Sequence, residues 1–197
     1  MATNIVTFKV TGLSELLMNN PLSMDEDDSA KVRTKKIPPE EDARKRLYVN
    51  DEGQFYVPTI AFLNSLWLGS AYQKFGKDTA RTLIQSSVFT AEDQTILLDK
   101  NTSNPIEDYF IDSRTVVIKA TKGRILRHRP LIKNWMCLVS FEIDTDFALT
   151  PEKLLPLFNK AGRMIGVMDY RPACRGPFGR YEVELYNGHN NKMKRGK

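Results

Sequence analysis

The stretch RPACRGPFGRYEVELYN, Arg171 to Asn187, places three arginines and two glycines directly ahead of a cleanly alternating strand. A loop that only turns a corner needs the glycines but not the arginines. A loop that approaches a phosphate needs both, because glycine lets the main chain come close while forked guanidinium donors neutralise the oxygens. Gly176 and Gly179 flank Pro177-Phe178, and Arg171, Arg175 and Arg180 surround them. The competing reading is a simple turn whose arginine stems cover apolar surface. Phe178 then packs inward rather than stacking on a base.

A second basic run, KGRILRHR (Lys122 to Arg129), contains Arg124, Arg127 and Arg129. On an extended chain, period two puts Arg127 and Arg129 on one face and His128 on the other. Side chains two apart on a strand lie roughly 6–7 Å from each other, a spacing that could track consecutive phosphates. No nucleophile or carboxylate partner for His128 is identifiable in the sequence, so general-base chemistry is not expected there. A third basic group, Arg33, Lys35 and Lys36, follows the acidic run MDEDD. Within that run Asp25, Asp27 and Asp28 are the weak catalytic candidates, since hard divalent cations favour clustered carboxylates. A solvated acidic loop is the plainer alternative. Arg163, late in a helical segment, completes the basic candidates.

Composition sets the limits within which these groups work. The chain has 197 residues, 41% of them hydrophobic and 27% charged, and a net charge of +5. That supports a real core and gives a mild bias towards a polyanionic partner. No apolar run approaches the ~18 residues needed to span a bilayer. The opening MATNIVTFKV lacks the layout of a signal peptide, and a cytoplasmic location is expected. Cys137 and Cys174 form no CxxC or Cys/His cluster, so neither a structural zinc nor any other metal or cofactor is expected.

The elements that must carry the candidate residues follow from periodicity. Asn4 to Gly12 alternates with Val6, Phe8 and Val10 inward. About 19–46, the apolar period gives way to charge and proline, which predicts a projecting insertion. Arg46 to Pro58 predicts a hairpin turning at Asp51-Glu52-Gly53. Thr59 to Phe75 predicts a helix with Thr59 as N-cap and Ile60, Leu63, Trp67 and Ala71 on its buried face. A short helix is expected over Lys77 to Val88 and strands between Phe89 and Thr121, with Ser113 to Ala120 the clearest. ILRHRPLI should be an edge strand or hairpin arm because of its proline. Trp135 to Asp144 alternates strictly. Thr150 and Pro151 start a helix whose stripe is Leu154, Leu155, Phe158, Ala161 and Ile165, bent at Pro156. A last strand directs Tyr181, Val183 and Leu185 inward. Residues 1–188 are expected to form one domain, and 189–197 a disordered basic tail. The skeleton is βαββαβ, an α+β, ferredoxin-like antiparallel sheet with helices on one face and a long N-terminal thumb-like insertion.

Three segments in this order resemble the repeat-associated mysterious protein (RAMP) superfamily, especially the backbone subunits of CRISPR effector complexes. They are DEGQFYVPTIAFLNSLW after the variable insertion, SFEIDTDFALTPEKLLPLFNKAGRMIG, and the glycine-rich GVMDYRPACRGPFGRYEV. The chain departs from the family pattern in its Thr-Ile-Ala-Phe helix start and in Pro177 within the glycine-rich loop. The resemblance implies RNA binding without catalysis, copies of the chain coating a single-stranded guide RNA head to tail. The implied partners are the guide–target duplex and other effector-complex subunits, with no membrane. Relatives that process guide RNA use a histidine near the first helix, where this chain has none. Two other functions remain open: a metal-dependent ribonuclease cutting target RNA through the acidic insertion, and a stand-alone phage or mobile-element binding module.

Overall fold

The computed structural model describes residues 3–21, 37–117, 123–144, 146–147 and 149–186. Alternating apolar residues make β1 (Thr3–Gly12), and a two-residue strand, β2 (Leu16–Leu17), follows a tight turn. Then come α1 (Pro39–Arg44), β3 (Tyr56–Pro58), α2 (Thr59–Gly69), β4 (Lys74–Phe75), β5 (Asp78–Thr79), α3 (Ala80–Ser87), β6 (Val88–Thr90), β7 (Gln94–Ile96) and β8 (Leu98–Asp99). The second half holds β9 (Phe110–Val117), β10 (Arg124–Ile132), β11 (Trp135–Asp144), α4 (Pro151–Met164), a 3-10 turn (Pro172–Cys174) and β12 (Tyr181–Leu185).

The fold is α+β with antiparallel sheets. The main sheet runs β12-β1-β11-β6, with β8 also pairing to β11. Register is set by β1 on β11, where Phe8 opposes Val139 and Val6 opposes Phe141. One face of this sheet is covered: Phe158 from α4 meets Phe8, Phe141 and Tyr181 edge-on or tilted, and Phe62 from α2 meets Phe158 and Tyr181. The aromatic pairs contribute beyond their buried area through favourable ring geometry. The Tyr181 hydroxyl is satisfied by Ser65 at 2.8 Å, and burial pushes its ionisation far up, so it stays neutral. A second, three-stranded sheet has the order β2-β10-β9.

Several boundaries and faces differ from the sequence expectation. Residues within the expected projecting insertion include α1, which packs on β10 and β9 and buries Asp42 and Ala43. Arg46 locks this helix by a 2.9 Å ion pair to Asp42. Residues 22–36 of that insertion, and the tail 189–197, lie outside the described residues. Pro58, not Thr59, is the N-cap of α2; the Thr59 hydroxyl instead bonds that of Thr95 at 2.8 Å. The helix ends at Gly69, not Phe75, and buries Thr59, Phe62, Ser65 and Leu66, while Ile60 is half exposed. TIAFLNSLWLG is apolar on more than one side, so packing against α4 and α3 selects the buried one. In α4, Leu157 and Gly162 replace Leu155 and Ile165 in the buried set, and the exposed Pro156 is carried within the helix.

Candidate nucleic-acid interface

The connection from α4 to β12, residues 165–180, is folded against itself by left-handed backbone. Gly166, Met168, Tyr170, Arg175 and Gly179 all have positive φ, between 46° and 69°. For the three non-glycine residues this costs of order 1–2 kcal/mol each, so the surroundings must hold them. They do: Val167 N–H donates to Gly179 O at 2.9 Å, Asp169 N–H to Leu17 O at 3.0 Å, and Gly179 N–H to Glu15 O at 2.8 Å. Arg180 N–H also donates to the Ser14 hydroxyl at 3.0 Å. The loop is therefore stitched to the β1–β2 turn.

The same crossings explain the two glycines. A Cβ on Gly176 would lie 1.7 Å from Tyr170 O, and one on Gly179 would lie 1.9 Å from Val167 O. Their close approach is to the loop's own main chain. The arginines differ in their surroundings. Arg175 and Arg180 are exposed, as is Arg163 in the last turn of α4. Arg171 is half-buried and donates to Met168 O at 2.8 Å. Phe178 packs inward with Leu17 and Leu131, so the structural reading of that side chain holds.

Between this loop and α2 lies a cleft of about 410 Å³. Ile60, Ala61 and Asn64 of α2 form one wall, and Val167, Met168 and Arg171 form the other. The first turn of α2 contains no acidic residue and no side-chain cap. Thr59 N–H donates to Asp93 O at 2.9 Å, and the N–H groups that follow it give that end partial positive character. Tyr48 and Asp169 also line the cleft. Burial, followed by Tyr56 and Asp169, raises the Tyr48 phenol above its usual range, which keeps it a neutral donor.

The β9–β10 arm reaches the same loop from the other side. Arg129 is buried, 6% exposed, with a 2.6 Å ion pair to Asp169 and a 3.6 Å pair to Asp112. It holds the loop to the arm, whereas period two alone sets it beside Arg127 as a phosphate contact. Arg127 remains half-buried and Arg124 is exposed. His128 has a partner that the sequence did not identify: Nδ1 lies 2.7 Å from the cross-strand Ser113 hydroxyl. Its backbone N–H donates to Asp42 at 3.0 Å. Among the described residues no carboxylate is hydrogen-bonded to its ring.

Arg114 is the residue that sequence reasoning missed. Its Nε donates to Asp112 at 2.7 Å and 2.9 Å, and its guanidinium lies 4.6 Å from the Phe178 ring centroid. In register it stands directly opposite Arg127. Nothing in SRTVVIKA signals this before the pairing is known.

The uncovered face of the main sheet has the opposite character. Glu184 opposes Lys9, Glu182 opposes Thr11, and Glu142 opposes Ile5. With Asp144 opposite Thr3 on the same face, four carboxylates against one ammonium make it a poor phosphate surface. Arg33, Lys35, Lys36, Asp25, Asp27 and Asp28 lie outside the described residues. Among the described residues no group of three or more His, Cys, Asp or Glu is arranged to hold a metal. No helix among them is long and apolar enough to cross a membrane.

No protein-family model matches the chain, and no curated protein matches it. Among solved structures, the crystal structure of Cmr6 from Pyrococcus furiosus aligns over 93% of this chain and 98% of that one. The two are 12% identical, with a TM-score of 0.43.

Proposed function

We propose that this protein is a non-catalytic RNA-binding subunit of the RAMP type, on a ferredoxin-like core, that coats a guide RNA by head-to-tail contacts. The sheet order β12-β1-β11-β6, with α2 between β1 and β6 in the chain and α4 between β11 and β12, supports the reading of the core as a split βαββαβ unit. The observation that carries the functional reading is the cleft between the first turns of α2 and the strained loop after α4. Partial positive charge from the helix end meets Arg171 there, and Arg163, Arg175 and Arg180 stand exposed on the same helix–loop unit. Backbone donors and guanidinium groups together bind a sugar–phosphate chain by shape and charge, while sequence is left to base pairing. Arg33, Lys35 and Lys36 of the insertion are further basic candidates for the same strand, and contacts that do not close on themselves build a filament of copies.

The test is purification from the native host at low salt, followed by sequencing of any bound nucleic acid. Bound RNA of uniform length carrying a repeat-derived tag is expected, and Arg175→Glu combined with Arg180→Glu should strip it. Both side chains are exposed, so this variant should melt within a few degrees of the parent. A nucleic-acid-free protein that also ignores added RNA would leave the stand-alone binding module as the better account.

A further inference from the structure

The β9–β10 arm carries a second cationic arrangement outside the cleft. Directly opposed residues of an antiparallel pair project from the same face, so Arg129/Asp112 and Arg127/Arg114 form successive rungs. Around this face four guanidinium groups, Arg46, Arg114, Arg127 and Arg129, meet three carboxylates, Asp42, Asp112 and Asp169. Arg46 takes Asp42, and Arg129 takes Asp169 while sharing Asp112 with Arg114. One positive charge is left over. It is at Arg127, which feels Asp42 at longer range but makes no ion pair among the described residues.

Like charges set directly across a strand pair destabilise it unless something neutralises them. Arg114 is also pre-organised for a ligand. Asp112 holds its Nε and Phe178 lies under its plane, while its side chain is 41% exposed. Asp112 thus occupies one edge of the fork and leaves the terminal nitrogens for another acceptor. Tyr170, held at φ 46° in the loop, lies beside it, its ring 5.9 Å from the guanidinium.

We infer that Arg114 and Arg127 together hold one phosphate of the bound RNA strand, at a site separate from the cleft. This rests on the RNA-binding reading above and gives it a defined contact. One phosphodiester oxygen pair accepts from the free edge of Arg114 and from Arg127, which removes the cross-strand repulsion. Arg129 does not touch the strand; through Asp112 and Asp169 it positions Arg114 against the loop.

The experiment measures binding of nucleic-acid-free protein to a fluorescein-labelled oligouridylate across a salt series. The proteins are the parent, Arg114→Gln, Arg127→Gln and the double variant, each checked by circular dichroism. Losing one single-strand phosphate contact should flatten the log–log salt dependence by about 0.7. Each single variant should show that change with about tenfold weaker binding at low salt. The double variant should be no worse than the weaker single one, because both groups serve the same phosphate. Arg127 makes no ion pair among the described residues, so Arg127→Gln decides the matter even if Arg114→Gln does not fold. Parental affinity and slope in Arg127→Gln overturn the site, and so do additive losses with a slope change near 1.4, which mean two phosphates. If the parent itself fails to bind the oligonucleotide, the RNA-binding reading falls and this site falls with it. If the parent binds and the variants do too, only the site falls.

Discussion

Two long antiparallel pairs in this molecule are closed by different forces. The β1–β11 pair buries Phe8, Val10, Val139 and Phe141 on one face against the aromatic rings of α2 and α4. The β9–β10 pair buries charge: Arg129 lies under the loop after α4, among Asp112 and Asp169, while Asp42 of α1 accepts from the β10 backbone at His128. Apolar burial is non-directional and is not weakened by charge screening. A buried ion-pair cluster works only in one geometry and punishes the loss of either partner. The first pair is therefore the scaffold, and the second is where loop, arm and α1 are held in register.

The largest effect that would test this contrast is in the scaffold. Phe158→Ala removes the ring at the centre of the aromatic cluster, and about 4 kcal/mol of unfolding free energy should be lost in urea titration. The loss should be equal at low and high salt. A loss below ~1 kcal/mol would mean that the helices do not rely on that cluster.

Asp169→Asn should cost less, about 2 kcal/mol, because Asp112 remains beside Arg129. Its signature is regional. Amide exchange should accelerate in β10 and the 165–180 loop while β11 keeps its protection. Equal acceleration in both sheets would erase the distinction between them.

The smallest effect is acid sensitivity at Asp42. Burial alone would raise this carboxyl, but the His128 N–H, Arg46 and Arg127 outweigh it and hold it below its ordinary value of 3.8. A depressed folded-state pKa contributes stability that is present above the unfolded value and is lost as pH falls through the folded one. Stability should therefore decline as pH drops below about 4, with β10 exchanging before β11. Asp42→Asn should be less stable at neutral pH and should show a shallower decline over the same window. An unchanged pH profile in that variant would assign the acid response elsewhere.

Much of the scaffold was legible in the chain because its faces have uniform surroundings. Trp135 to Asp144 alternates and is a strand over that same range, and Thr150-Pro151 opens α4 as expected. The basic site was legible only by residue type. Arg127 and Arg129 share a strand face, yet the first is half-buried with no ion pair among the described residues and the second is buried between two carboxylates. Both partners of Arg129 are distant in sequence, and no local period announces them. Gly176 and Gly179 were singled out for close approach, which is what they permit, but to the loop's own carbonyls.

The sequence by itself determined the long strands β1, β11 and β12, the start of α4 and which side of those strands faces the core, since these follow from apolar period and capping chemistry. Tertiary structure alone decided which side of the broadly apolar α2 is buried, and that part of the expected insertion folds as α1. It also decided that Arg114 stands across from Arg127. Those outcomes depend on what lies over a face, and a one-dimensional pattern specifies the face but not its cover.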